Sequence, residues 1–138
     1  MNSSPKRILI VENDIAIAEL LEEVLYEQNY SCLNLPHAKE ILPVVYDFQP
    51  DIVLLDYLLP LATGQELCAE IKQNKSTSSL PVIIYSAFPE ALLPLEEFQC
   101  DNFIAKPFDL FYLLQRIEQL ASAYRHYCAR TELGIFHC

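Results

Sequence analysis

Short apolar runs, most of them ending in a polar residue, constrain the fold of this chain more than any other feature. Five such runs are predicted as strands, at about residues 7–12, 30–35, 51–56, 81–86 and 102–105. The segments between them repeat apolar residues at the spacing of an α-helix. Strands and helices in alternation are typical of a parallel sheet with helices on both faces. We therefore expect an α/β fold built on a doubly wound, five-stranded parallel sheet.

Prolines predict two departures from regular helices. Pro43 falls within the second helical segment, residues 37–48, so that helix should start late or kink because proline lacks a backbone donor. Pro89 and Pro94 interrupt the fourth segment, residues 88–100, which should be short or irregular.

The length and composition of the chain predict one domain with a substantial core. It has 138 residues, of which 52% are hydrophobic. We place this domain at residues 6–122 and assign residues 123–138 to an extension of the last helix and a C-terminal tail. The last helix is predicted to begin at Phe108 and to continue as far as Cys128.

The net charge and the first residues of the chain indicate which partners and which cellular compartment to expect. A net charge of −10 with only nine Lys and Arg residues disfavours a nucleic-acid partner, because phosphate binding requires clustered cations. The first residues contain neither a signal peptide nor a membrane span, so we expect a cytoplasmic protein with no membrane partner. The five cysteines lack a paired C-x-x-C spacing and are predicted to be reduced thiols.

The ends of four predicted strands bring reactive side chains to one edge of the sheet. Glu12 ends the first strand, Asp56 the third and Ser86 the fourth, and Lys106 follows the fifth. Open α/β sheets bind ligands outside the carboxyl ends of their strands. A carboxylate nucleophile beside further acids that can hold a divalent cation, with an ammonium and a hydroxyl nearby, suits phosphoryl transfer. The sequence therefore predicts a phosphoryl-transfer site centred on Asp56.

Taken in order, these motifs resemble the receiver domains of two-component response regulators. The first strand is followed by Glu12 and Asn13, and the third is P-D-I-V-L-L-D, with L-P after it and Gly64 eight residues after Asp56. S-A ends the fourth strand, and K-P-F follows the fifth. The likeness covers about residues 6–121 and implies the flavodoxin-like, CheY-like (βα)5 fold.

The resemblance implies a role for each strand-end residue. Asp56 would accept a phosphoryl group from a phosphohistidine on a partner kinase, Lys106 would pair with that phosphate, and Ser86 would hydrogen-bond it. Phe103 would be the aromatic switch residue that moves inward when Ser86 does. The peptide before Pro107 is a candidate cis bond that aims the lysine inward.

The same resemblance implies a Mg²⁺ site formed by Glu12, Asn13, Asp56 and the backbone carbonyl of Leu58. Receivers usually have a second acid at the position of Asn13, so one negative charge that faces the metal is missing. Because Mg²⁺ affinity falls with the number of anionic ligands, we expect weakened binding. Asp14 could compensate through water, but capping of the following helix is the favoured interpretation.

The leading hypothesis is a receiver that is not an enzyme and signals through protein–protein contacts. The expected partners are a sensor histidine kinase or phosphotransfer protein and a downstream target protein. The surface formed by the fourth helix, the fifth strand and the last helix is predicted to bind partners and is a candidate homodimer interface.

Two other hypotheses stay open. A degenerate receiver, acting as an interaction module without phosphorylation, is favoured by Asn13 and by the irregular fourth segment. An aspartyl phosphatase or a nucleotide binder is disfavoured. The residue two positions after Asp56 is Leu58 rather than an acid, and no glycines follow the first strand.

Overall fold

The sheet has five parallel strands, as the sequence predicts. The computed structural model describes residues 4–107 and 109–131, with side chains described as far as residue 123. The strands are β1 (Lys6–Val11), β2 (Tyr30–Leu35), β3 (Ile52–Asp56), β4 (Val82–Ser86) and β5 (Asn102–Ala105). Their order is β2-β1-β3-β4-β5, and every neighbouring pair is parallel. This is the doubly wound α/β architecture, in which the strand order reverses direction between β1 and β3.

Within the described residues, four α-helices connect or follow the strands. They are α1 (Ile15–Glu27), α2 (Leu42–Phe48), α3 (Gly64–Lys72) and α4 (Leu110–Thr131). The predicted start of the last helix at Phe108 lies outside the described residues, as does the predicted tail beyond residue 131. No helix in the described part of the chain is both long and apolar enough to cross a bilayer.

Local chemistry explains where two of the helices begin. The Asp14 carboxylate caps α1 by accepting hydrogen bonds from the amides of Ala16 and Ile17, which confirms the capping interpretation of this acid. Helix α2 begins only at Leu42, which puts Pro43 in the first turn, where its missing N–H costs no hydrogen bond. The predicted late start of this helix is therefore confirmed.

The segment between β4 and β5 contains no α-helix. Two 3₁₀ turns, Glu90–Leu92 and Leu95–Glu97, stand where the fourth helix of the (βα)5 pattern would be. Each turn is preceded directly by a proline, Pro89 or Pro94, and these prolines prevent a continuous i→i−4 ladder. The surface predicted from the fourth helix, the fifth strand and the last helix therefore consists of 3₁₀ turns, β5 and α4.

The sheet separates two apolar layers. Alternate residues of β1 point to opposite faces, so Leu9 and Val11 pack with α2 and α3, whereas Ile8 and Ile10 pack with α1 and α4. All four side chains are fully buried. Strands buried on both faces hold the carboxyl edge of the sheet in place, and that edge carries the polar residues.

Three of the predicted thiols can be located. Cys32, Cys68 and Cys100 are free, in agreement with the expectation of reduced cysteines. Burial raises the pKa of Cys32 and Cys68 to about 12, so both are protonated thiols at neutral pH. The side chains of the other two cysteines lie outside the described part.

Candidate functional site

Asp56 and Glu12 lie side by side at the point where the strand order reverses. Asp56 is the last residue of β3, and Glu12 directly follows β1, the neighbouring strand. Asp56 is 8% exposed and Glu12 is 1% exposed. The crevice outside this switch point is the usual ligand site of such sheets. The structure thus brings together the two acids that the sequence assigned to one site.

Lys106 completes the charged group. Its Nζ lies 3.4 Å from Asp56 Oδ2 and 3.4 Å from Glu12 Oε1. The backbone amide of Lys106 donates to the carbonyl of Ser86 at 2.7 Å, which fixes the start of the loop after β5 against the end of β4. The peptide between Lys106 and Pro107 is cis. One ammonium is therefore shared between two buried carboxylates.

Tyr85 belongs to the same group, although in sequence it is only one residue of an apolar strand. Its hydroxyl donates to Glu12 Oε1 at 2.8 Å, and the Lys106 ammonium lies 4.9 Å from the centre of its ring. Burial, followed by the Glu12 charge, raises the pKa of Tyr85 well above its usual range, so the hydroxyl keeps its proton. One sequence signal pointed to this contact, namely a tyrosine within a strand expected to be buried. A buried tyrosine hydroxyl requires a hydrogen-bond partner.

The charges of the site leave it with an excess of negative charge. Burial, and then the neighbouring Glu12, raise the pKa of Asp56 to about 6, against the opposing effect of Lys106. A cation that reaches the two carboxylates would relieve this repulsion. The arrangement therefore favours a bound divalent cation or the approach of further positively charged groups.

Because the pKa of Asp56 is raised, we predict that a variant without this carboxylate is more stable than the native chain, and that the difference depends on pH. A carboxyl group whose pKa is higher in the folded than in the unfolded state binds more protons when folded, so stability declines as the pH rises from about 4 to about 6. We expect Asp56→Asn to be more stable than the native chain by about 1–2 kcal/mol at pH 7.5, and the difference to vanish at pH 4.

Urea unfolding at both pH values measures this difference. Asp47→Asn removes an exposed carboxylate from α2 and is the control, with no change expected beyond about 0.5 kcal/mol. A gain for Asp56→Asn of equal size at pH 4 and pH 7.5 would contradict the electrostatic explanation.

Ser86 ends β4 close to the same edge. It is fully buried, and its Oγ accepts a hydrogen bond from the amide of Phe88 at 2.9 Å. The hydroxyl hydrogen remains available to an oxygen on a bound group, because this contact uses Ser86 only as an acceptor. The position agrees with the role that the resemblance implies, which stays a prediction.

Aromatic rings connect the site with the segment of 3₁₀ turns. The Tyr57 ring lies 6.4 Å from the Phe88 ring and stacks on Phe98 at 5.6 Å. Phe98 in turn meets Phe103 edge to face at 6.0 Å. We call these four residues the aromatic row. Phe103, the predicted switch residue, is therefore connected to Tyr57 by a single intervening ring.

Gly64 allows α3 to approach β3, the strand that carries Asp56. A Cβ at this position would lie 2.4 Å from the carbonyl oxygen of Asp56 and 3.0 Å from its carbonyl carbon. The amide of Gly64 also donates to the carbonyl of Tyr57 at 2.9 Å. The helix therefore packs directly on the backbone that positions Asp56, which explains the glycine eight residues after the acid.

The donor set is of the kind that holds a hard cation. Glu12 and Asp56 supply carboxylate oxygens, the ligand type that Mg²⁺ prefers, whereas Asn13 is exposed and offers an amide. Leu58, whose carbonyl completes the predicted set, is on the exposed loop after β3, and its amide donates to Asp56 Oδ1 at 3.3 Å. Among residues 4–107 and 109–131, no three His, Cys, Asp or Glu residues lie close enough together to hold a metal ion.

The strand order and the group of Asp56, Glu12 and Lys106 define a doubly wound α/β domain with a carboxylate site at its switch point. Residues 8–118 match the model of the response regulator receiver domain. The chain therefore belongs to the response regulator receiver family.

Known proteins of the family are similar in sequence and in structure. The phosphate regulon transcriptional regulatory protein PhoB of Pseudomonas aeruginosa is 32% identical over 115 residues, which are 82% of this chain and 50% of that protein. A structure described as a response regulator from Chloroflexus aurantiacus is 30% identical, with a TM-score of 0.77 over 86% of this chain and 98% of that one.

A third comparison concerns a structure with a metal. The response regulator TrrA of Thermotoga maritima, in complex with Mg²⁺ and BeF, is 29% identical, with a TM-score of 0.74 over 83% of this chain and 98% of that one. The present chain spans about half the length of the curated relatives it matches.

Proposed function

We propose that this chain is a phosphorylatable receiver in which Asp56 accepts a phosphoryl group from a phosphohistidine. The observation that carries the proposal is the arrangement of Asp56 with Glu12 on one side and the Lys106 ammonium 3.4 Å from both. Family membership over residues 8–118 supports it. The chain would act as a switch rather than as an enzyme with a substrate of its own.

The residues divide the work of the transfer. An ionised Asp56 oxygen attacks phosphorus and forms an acyl phosphate, while the P–N bond of the phosphohistidine breaks and its electron pair returns to the imidazole nitrogen. Lys106 pairs with a phosphoryl oxygen, and the Ser86 hydroxyl donates to another. A Mg²⁺ ion held by Glu12, Asn13, Asp56 and the Leu58 carbonyl would supply charge neutralisation at the transferring group.

The Mg²⁺ requirement should be unusually high. Asn13 replaces the second acid, so fewer anionic ligands face the cation. The complex of TrrA with Mg²⁺ and BeF supports a Mg²⁺ site in a related receiver. The weakening at Asn13 is our proposal for this chain.

The partners we propose are a sensor histidine kinase or phosphotransfer protein and a downstream target protein, all meeting the chain in the cytoplasm. The surface of the 3₁₀ turns, β5 and α4 is the proposed contact for the target and for a homodimer. The excess of 19 acidic over nine basic residues supports a protein target rather than nucleic acid.

A phosphorylation-independent interaction module is the second candidate. Asn13 favours it, because a site that binds the cation poorly transfers phosphoryl groups slowly. The replacement of the fourth helix by 3₁₀ turns favours it as well, since the surface that usually reports the modification is altered.

Intact-mass analysis with a small-molecule phosphodonor across a Mg²⁺ series separates the two candidates. We expect the native chain to gain one phosphoryl group only at raised Mg²⁺, and Asp56→Asn to gain none. Asn13→Asp, which restores the second acid, should reach the same yield at severalfold lower Mg²⁺. Absence of an adduct on both the native chain and Asn13→Asp, with candidate kinases included, would favour the interaction module.

A further inference from the structure

We propose that Tyr85 is a positioning residue of the phosphoryl-transfer site, which fixes the Glu12 carboxylate with its hydroxyl and the Lys106 ammonium with its ring. This inference rests on the proposed function and extends it to a residue outside the strand-end motifs. Tyr85 would contact neither the phosphoryl group nor the phosphodonor. It would act through the acid and the amine that do.

The hydrogen bonds of Glu12 show how firmly the carboxylate is held. Oε1 accepts from the Tyr85 hydroxyl at 2.8 Å, and Oε2 accepts from the backbone amide of Asp14 at 2.9 Å. The Asp14 amide belongs to the N-cap of α1, and Tyr85 is fully buried in β4. Two rigid elements therefore orient one carboxylate, each through one oxygen. Oε1 also accepts from the Lys106 ammonium at 3.4 Å, so Oε2 is the oxygen that retains a lone pair for a cation.

The backbone of Tyr85 is tied to the strand that carries the phosphoacceptor. Tyr85 is the register partner of Asp56, and the amide of Tyr57 donates to the Tyr85 carbonyl at 2.8 Å. The backbone from which the Tyr85 ring projects is consequently held against β3. A single residue thus relates Glu12 and Lys106 to Asp56.

The ring makes a contact that is separate from that of the hydroxyl. The Lys106 Nζ lies 4.9 Å from the ring centre, within the range of a cation–π contact. The same ammonium lies 3.4 Å from Glu12 Oε1, the oxygen that accepts from the hydroxyl. A variant that lacks only the hydroxyl therefore tests whether Tyr85 orients Glu12. A variant that also lacks the ring tests, in addition, whether Tyr85 positions Lys106.

Asn13 makes the orientation of Glu12 more important than it would be beside a second acid. With fewer anionic ligands, the site depends on Glu12 being held in the geometry that meets the cation. Outer hydrogen-bond partners of metal ligands typically change metal affinity by about 10–100-fold when removed. Tyr85 would be such a partner.

The experiment compares Tyr85→Phe with the native chain in two measurements. The first is direct binding of Mn²⁺ to the unphosphorylated protein, followed by electron paramagnetic resonance. The second is the rate of Asp56 phosphorylation by a small-molecule donor as a function of Mg²⁺. Tyr26→Phe removes the hydroxyl of a tyrosine that is 79% exposed and is the matched control.

We expect Tyr85→Phe to raise the Mn²⁺ dissociation constant by about tenfold and the half-saturating Mg²⁺ by a similar factor. The rate at saturating Mg²⁺ should stay within about twofold of the native rate, because the ring contact with Lys106 remains. Tyr85→Leu should lower that saturated rate as well. Tyr26→Phe should match the native chain throughout.

An unchanged Mn²⁺ dissociation constant in folded Tyr85→Phe would overturn the proposal, even if thermal stability fell. A merely structural tyrosine would lower the melting temperature without changing metal affinity. If the variant does not fold, 3-fluorotyrosine placed at position 85 of the otherwise native chain gives a second readout. We expect its ¹⁹F resonance to shift on addition of Mg²⁺, whereas the resonance of the same label at position 26 should not shift. The absence of a shift at position 85 would overturn the proposal.

The outcomes also separate this inference from the function on which it rests. If the native chain binds Mn²⁺ but never forms an adduct, the proposed function fails, whereas weaker binding by Tyr85→Phe would still support the positioning role. If the native chain forms the adduct and Tyr85→Phe binds Mn²⁺ normally, the function stands and the positioning role fails.

Discussion

Gly64→Ala should lower the free energy of unfolding by about 2–3 kcal/mol, the upper range for overpacking a close contact. The added methyl group would lie 2.4 Å from the carbonyl oxygen of Asp56, and that neighbour is backbone rather than a flexible side chain. Either α3 moves away from β3, or the end of β3 shifts. The substitution places no side chain in the crevice beside Asp56, so its effect must pass through the backbone.

Two measurements detect this displacement. Urea unfolding gives the stability, and the phosphorylation rate of the remaining folded protein reports whether Asp56 has moved. Gln73→Ala, at the exposed C-cap of the same helix, is the control and should stay within about 0.5 kcal/mol of the native value. A stability of Gly64→Ala within that same margin would show that α3 can retreat freely, which would contradict the close packing described here.

Lys106→Met should slow phosphorylation of Asp56 by about 100-fold or more, comparable with the loss of one group that stabilises charge in a transition state. The ammonium is shared by Asp56 and Glu12 at 3.4 Å each. Without it, an anionic phosphoryl group would approach two carboxylates with only the proposed Mg²⁺ ion to offset their repulsion. Methionine keeps most of the apolar length of lysine, so the comparison isolates the charge.

Lys106→Arg is the control that keeps the positive charge. It should retain more activity than Lys106→Met, although the planar guanidinium cannot occupy the same point between two carboxylates and over the Tyr85 ring. Single-turnover rates at saturating Mg²⁺ provide the measurement. Equal rates for the two variants would show that the charge of Lys106 is not what matters.

The alternation of strands and helices could be predicted from the sequence because its signals are local. The bounds of β2 and β5 agree with the prediction, β3 and β4 begin one residue later than predicted, and β1 is shifted by one residue at both ends. Pro43, Pro89 and Pro94 act through the chain's own backbone, so their effects on α2 and on the fourth segment could also be anticipated.

The details of the site could not be predicted, because they depend on distances between elements far apart in sequence. The hydroxyl of Tyr85 meets a carboxylate 73 positions earlier, and in sequence this tyrosine is one more bulky residue in an apolar strand. The need for Gly64 follows from the approach of α3 to the Asp56 backbone, which no residue pattern specifies. The order of the motifs identified which residues meet, but only the structure shows that Lys106 is shared.

The aromatic row provides a path of ring contacts along which a movement of Ser86 would reach other parts of the domain. The two 3₁₀ turns that follow β4 are each three residues long. They are too short to act as a helix that rotates as a unit and carries a displacement to the surface. Phe88, whose amide bonds to the Ser86 hydroxyl, instead leads to Tyr57, Phe98 and Phe103 through successive ring contacts. Packed rings change position by jumps between rotamers rather than by gradual sliding. If Ser86 moves on phosphorylation, as the proposed switch requires, transmission along this path would be stepwise, and its threshold would be set by how tightly the four side chains fit together.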